Sequence, residues 1–294
     1  MNEHAQIEGL WHSHRRRLLD IGYRMLGSLV DAEDVASEAY ARLVATDIDA
    51  IDDVAGWLIT VTGRLCLDRL RSHESSRRAY IGPWLPEPIL TIADTAACDP
   101  ADRVTLDDSV RMALLVVLEQ LSPAERTSFV LHDLFGVEFE EIARIVGRSA
   151  AACRQLASRA RRRIQSNPEA PRATVDRAEL EAVAQRFAHA CRAGAIEPLL
   201  EVLDPNVIGD FDSGGTVPGA PLRALDGAKS VARVLLHSFS GPGFSFAVED
   251  VNGDPGVIVR IHGAVAAVIA IGVHDNRIDV IHAIGNPGKL AHLQ

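Results

Sequence analysis

From Arg144 to Arg163 the chain carries seven arginines (144, 148, 154, 159, 161, 162 and 163) and not one acid. They fall where the sequence spells helices meeting at tight turns. In Leu121-Ser122-Pro123-Ala124-Glu125, serine caps the first free amides, proline presets φ, and glutamate at the third helical position completes a capping box. This helix is predicted to run to about Leu134, with Gly136 as a left-handed stop. A second helix covers 138–146 and ends at Gly147-Arg148-Ser149, where Ser149 caps a third reaching about Gln165. Ala143, Gly147 and Cys153 supply the small contact residue, the turn glycine and the apolar plug that two crossing helices need. Cys153, Leu156, Ala157, Ala160 and Ile164 share one face at helical spacing. Gln155, Ser158 and Arg162 point the other way, flanked by Arg154, Arg159 and Arg161. Such a free face suits base edges in a major groove, with the flanking arginines on phosphates. With no acid in the stretch, the seven arginines are expected to be uncompensated.

The net charge of −10 over 294 residues argues against a nucleic-acid binder only if charge is averaged; local stripes decide. A second basic cluster, Arg64, Arg69, Arg71, Arg77 and Arg78, is offset by Asp68 and Glu74. A charged fraction of 24% with 47% hydrophobic residues marks a globular chain with more than one core. The longest apolar run, 264–273, is about half the ~20 residues a membrane helix needs. The N-terminal basic cluster follows its apolar residues, opposite to a secretory signal, so a cytoplasmic protein is expected. Cys66, Cys98, Cys153 and Cys191 lie far apart without neighbouring histidines, a pattern for buried thiols and not for a metal site. No cofactor is expected.

Helical periodicity over 5–80 gives way to the proline-punctuated segment 81–103, returns over 104–166, and stops again at Asn167-Pro168-Glu169-Ala170-Pro171. From 176 to 294 one or two helices lead into strand-like runs, 257–261 and 278–284, with a turn at Asp275-Asn276.

Residues 121–164, with Glu140-Glu141-Ile142-Ala143 and Arg159-Ala160-Arg161, resemble region 4 of extracytoplasmic-function (group 4) RNA polymerase sigma factors. That region reads the −35 promoter element. The acidic helix start Asp31–Tyr40 resembles region 2.2, which docks on the polymerase β′ subunit; the match assigns that contact to Asp34 and Glu38, with Ser37 where the family has glutamine. Gly56–Arg71 resembles regions 2.3 and 2.4, the −10 reader. There Leu58, Val61, Leu65 and Leu70 face inward and leave Arg64, Asp68 and Arg71 for DNA. The resemblance implies two all-α sigma domains and, as partners, promoter DNA and core RNA polymerase through its β′ and β subunits.

The remainder resembles a SnoaL-like, ketosteroid-isomerase-type cone, an α+β fold whose curved sheet wraps a helix. One sigma group carries it as an appendage, and its marks are Trp84-Leu85-Pro86-Glu87-Pro88, Asp212-Ser213-Gly214-Gly215-Thr216 and Asn286-Pro287-Gly288-Lys289-Leu290. Gly288 stands where that group has aspartate. The linker alternates prolines with Trp84, Leu85, Ile89 and Leu90, so it is stiff and has apolar surface to cover. The expected cover is the third domain near Asp212 or Asn286–Leu290, an arrangement that regulates transcription in cis. The alternative is a small-molecule sensor or a cyclase or isomerase in the cone. Asp210 and Asp212 are then candidate bases, and His282 is expected on one strand face with Ile278, Val280 and Ile284. Residues 176–294 hold no tyrosine to serve as oxyanion donor, which favours a non-catalytic domain.

Overall fold

The computed structural model describes residues 3–90, 110–167, 175–217 and 219–294, without the side chains of 3–6 and 74–78. Cys98, the prolines at 168 and 171, the linker beyond 90, and the side chains of Glu74, Arg77 and Arg78 lie outside the described residues. The chain forms two compact units. Of the described residues, one holds 3–76 and 117–167; the other holds 77–90, 110–116, 175–217 and 219–294.

The first unit is helical. Helices α1 (Glu3–Leu26) and α2 (Leu29–Val44) precede α3 (Val54–Arg78). The acidic helix starts earlier than Asp31: Ser28 is its N-cap, accepting the Asp31 amide, worth about 1 kcal/mol. A short 3₁₀ turn, Ile48–Ala50, capped by Asp47, leads into α3. Along α3, Leu58, Val61, Leu65 and Leu70 are buried while Arg64, Asp68 and Arg71 are exposed. Helix α4 (Met112–Glu119) crosses from the second unit into the first. It is followed by α5 (Pro123–Phe129), a π-helical turn (Val130–Leu134), α6 (Phe139–Val146) and α7 (Ala150–Ser166). The capping box at Ser122 and Glu125 is formed in both directions. Gly147 takes φ 73°, and its amide caps Ala143 at 2.9 Å. Cys153 is fully buried as the plug, whereas Ile164 is only half-buried.

The second unit is α+β: helices α8 (Arg177–Ala193), α9 (Ile196–Val202) and α10 (Ala228–Phe239) with strands β1 (Leu203–Asp212), β2 (Leu225–Asp226), β3 (Phe244–Val251), β4 (Asp254–Ile261), β5 (Ala264–His274) and β6 (Arg277–Ile284). The sheet order is β2-β1-β6-β5-β4-β3, antiparallel except for β1 beside β6. Asp275 and Asn276 both have positive φ, 48° and 59°, the conformation of a type I′ hairpin turn.

Alternation along the strands builds two cores. The inner face (Val257, Val259, Ile269, Ile281, Ala283) packs on Phe187 of α8 and Val231 of α10. The outer face (Ile258, Val265, Val268, Ile284) packs on Leu85, Met112 and Val116. A short helix, α11 (Pro287–Leu290), closes the outer side with Leu290. One expectation about β6 fails here. Val273 and Gly272 pair with Ile278 and Val280, so Asp279 is an extra residue, a β-bulge. The bulge reverses the alternation; Ile278 turns into the inner core while His282 and Ile284 stay outside.

Candidate functional site

On α7, Gln155, Arg154, Arg159 and Arg162 are exposed, and Ser158 and Arg161 are half-buried. The expectation of uncompensated arginines is corrected, because α5, the π-helical turn and α6 supply acids. Arg144 pairs with Glu141 at 3.6 Å, Arg154 with Glu140 at 3.0 Å, Arg161 with Asp133 at 2.5 Å, and Arg163 with Glu125 at 3.6 Å. Apart from Glu141, three positions before Arg144 on the same helix, the missing signal was spatial, since the other acids lie 14 to 38 positions away in sequence. Arg162 instead folds back on the Ser158 carbonyl. The helix therefore presents Gln155 and Arg162 outward between paired arginines, which orients the guanidinium groups.

In the first three helices, Asp34 and Glu38 lie exposed on α2. Asp34 shares Arg69 of α3 with Asp31, at 3.4 and 2.8 Å, and Glu38 pairs with Arg42. Arg69 thus braces α3 on α2 and is lost to the basic cluster. Arg71 sits 3.6 Å from Asp68, and Arg64 donates to the Arg144 carbonyl at 3.3 Å. A buried ion pair, Arg126 with Glu119 at 2.6 Å, also donates to the Met25 carbonyl at 2.9 Å. Arg126 was not singled out in the sequence, where an arginine gives no sign of being buried.

In the sheet unit the linker meets β1 and α11. The Asp212 carboxylate, with no exposed side-chain surface, accepts from the Leu85 amide at 2.8 Å, Lys289 Nζ at 2.7 Å and the Gly214 amide at 3.1 Å, and from the Tyr80 hydroxyl. Lys289 Nζ also donates to the Leu85 carbonyl and lies 3.8 Å from the centre of the Trp84 ring, a cation–π contact. Asn286 donates to the Tyr80 oxygen at 2.7 Å. Burial and the hydrogen bond to Asp212 push the Tyr80 phenol above its ordinary range. Pro86 is buried beside Leu85. The glycines of the 212–216 motif have a steric cause: a Cβ on Gly214 would lie 2.5 Å from Asn286 Nδ2, and one on Gly215 3.0 Å from Ile81, both at positive φ. Gly288, in the aspartate's place, gives its amide to Asn286 at 2.9 Å. The absence of tyrosine from 176–294 is thereby overtaken, because Tyr80, two residues beyond the end of α3, belongs to this unit.

Asp210 and His282 face each other across β1 and β6 at 3.6 Å, but on the outer side of the sheet. The inner side holds a separate cavity of about 260 Å³ lined by Phe211, Phe239, Phe244, Ala283, Ser213 and Ser238 among others. Among the described residues, no cluster is placed to hold a metal and no helix is long and apolar enough to cross a membrane.

Two helical modules, one with an exposed acidic face and one with a helix-turn-helix, joined by a linker held on an α+β domain, define a multi-module promoter-recognition subunit. Residues 10–76 match the family Sigma-70 region 2, and residues 111–164 match Sigma-70, region 4. A protein described as a probable ECF RNA polymerase sigma factor, SigI of Mycobacterium tuberculosis, is 40% identical over 100% of this chain and 98% of its own. The ECF sigma factor SigJ of the same organism is 40% identical over 94% of this chain and 90% of its own. Its crystal structure superposes with a TM-score of 0.74 at 34% identity, covering 96% of this chain and 98% of that one. The chain belongs to the extracytoplasmic-function RNA polymerase sigma factors. It directs RNA polymerase to promoters to start transcription.

Proposed function

We propose that the sheet domain governs promoter use in cis by holding the linker between the two DNA-reading modules. The observation that carries this is the closed network of Asp212, Lys289, Tyr80 and Leu85. A buried aspartate–lysine pair stands only if its hydrogen bonds are complete, and here the linker's own backbone supplies two of them. Residues 84–86 are therefore part of the domain's electrostatic balance, and releasing them exposes a charged pair together with Leu85. Docking on core polymerase uses the α2 face at Asp34 and Glu38. Base contacts fall to Gln155, Ser158 and Arg162, and phosphate contacts to Arg154, Arg159 and Arg161. Arg64, Asp68 and Arg71 serve at the −10 element.

The test is run-off transcription with core polymerase, comparing the full chain with a chain ending at Asn167 and with Lys289→Met. Altered promoter output from both, with core binding retained, supports regulation through the linker. Output equal to wild type from Lys289→Met overturns it. A second reading has its own observation, the apolar cavity inside the cone, which suits a small uncharged ligand. Catalysis there is not part of the proposal. Asp212, the acid among the cavity's lining residues, is committed to the linker, and the Asp210–His282 pair lies on the other face.

A further inference from the structure

The β3–β4 hairpin turns on Asn252-Gly253, with φ of 53° and 85° and Val251 paired to Asp254. Asparagine-glycine is the natural choice for a two-residue type I′ turn, and that alone explains the sequence. It does not explain the burial. Turn asparagines ordinarily stand in water, whereas Asn252 is 0% exposed. Its amide donates to the Ile89 carbonyl at 2.7 Å and its Oδ1 accepts the Ile89 amide at 3.0 Å. Its Nδ2 donates to the Val110 carbonyl at 2.9 Å. One side chain thus ties down the residues on both sides of 91–109. Adjacent contacts follow the same line: Leu90 bridges Val251, and Arg111 lies 3.3 Å from Asp254.

We infer that Asn252 is a specificity-determining residue that sets which spacing between −35 and −10 elements this sigma factor accepts. The inference rests on the linker being held by the sheet domain during promoter engagement. Residues 91–109 number 19. A chain of about 19 residues held at neither end spans roughly 25 Å on average and up to about 65 Å when extended. Since DNA rises ~3.4 Å per base pair, such a range of lengths equals many base pairs of spacer. With Ile89 and Val110 joined through one amide group, the length of the segment between them drops out of the reach between the two readers.

The experiment uses holoenzyme and a template on which the wild-type holoenzyme initiates, with base pairs added or removed one at a time between the two elements. Asn252→Gly keeps the positive φ and the backbone amide but loses both side-chain bonds. Asn252→Asp keeps the acceptor for Ile89 and loses the donor to Val110; it keeps the test open if glycine loosens the hairpin. Both variants are expected to raise run-off from off-optimum spacers, relative to the optimum, by about two- to tenfold, the worth of a hydrogen bond or two. Preference for the −35 and −10 sequences themselves stays unchanged. A wild-type spacer profile in both variants, or a uniform loss at every spacing, overturns the inference. Lys289→Met is run in parallel: if it broadens the profile and the Asn252 variants do not, the linker reading stands and Asn252 is a turn residue only. If none broadens it but Lys289→Met alters promoter output, the spacing inference falls and the linker reading stands; if output is also unchanged, both fall.

Discussion

Lys289, only 7% exposed, is one of two lysines in a chain with 28 arginines. A compact ammonium fits where a guanidinium fork does not: between the Asp212 carboxylate, the Leu85 carbonyl and the face of Trp84. Lys289→Met leaves Asp212 buried without its countercharge and is expected to lower stability by about 3–5 kcal/mol in urea unfolding. Adding Asp212→Asn to it should recover part of that loss, as contacting residues couple in a double-mutant cycle. Tyr80 gives a pH signature. Its folded-state pKa is raised above the ordinary 10.0, so above pH 10 the unfolded chain loses the phenolic proton first. The stability that this phenol contributes is fully present below that value and lost as pH rises through the folded one. Tyr80→Phe should flatten that alkaline loss in thermal melts. The role of Asp212 and Lys289 as contacts was legible in the sequence through the family motifs that contain them. Tyr80 was not, because nothing local marks a tyrosine at a helix end as the donor to an acid 132 positions on.

Among the elements, the helix-turn-helix was legible to within a residue because each of its signals is local: Ser122 and Glu125 at the cap, Gly136 and Gly147 at positive φ. A Cβ on Gly147 would meet nothing within 4 Å, so Gly147→Ala tests backbone strain alone. It should cost about 1 kcal/mol, and Gly147→Asn less. The inward turn of Ile278 was not legible, since a bulge follows from pairing with β5 and leaves no mark in the alternation of β6 itself. The acidic helix yields another expectation at this scale. Reversing Asp34 and Glu38 to lysine should abolish co-purification with core polymerase while leaving the fold intact, both being exposed. Asp31 must stay, because its bond to Arg69 at 2.8 Å joins α2 to α3.

At the scale of the whole molecule, sequence order and compact units disagree. Pattern changes along the chain fall near 80, 103, 166 and 176, and in space the described residues 77–90 and 110–116 group with those from 175 onward. Such membership is set by contacts distant in sequence, Leu85 and Met112 on the outer sheet core, and periodicity carries no record of them. A chain ended at Asn167 therefore loses the cover for Leu85, Met112 and Val116. It is expected to bind a hydrophobic dye more strongly than the full chain and to shift the Trp84 emission to the red, read in a Trp11→Phe, Trp57→Phe background.

The 204 positions between Leu85 and Lys289 also impose a clock. At about 5–20 residues per second of synthesis, Leu85 is made some 10 to 40 seconds before the ammonium group that fastens it. For the later part of that interval, once α7 has been made, both helical modules exist on a nascent chain whose Leu85 is not yet held by Lys289. A message broken or stopped after α7 but before the Lys289 codon therefore yields both helical modules without the ammonium group that holds Leu85.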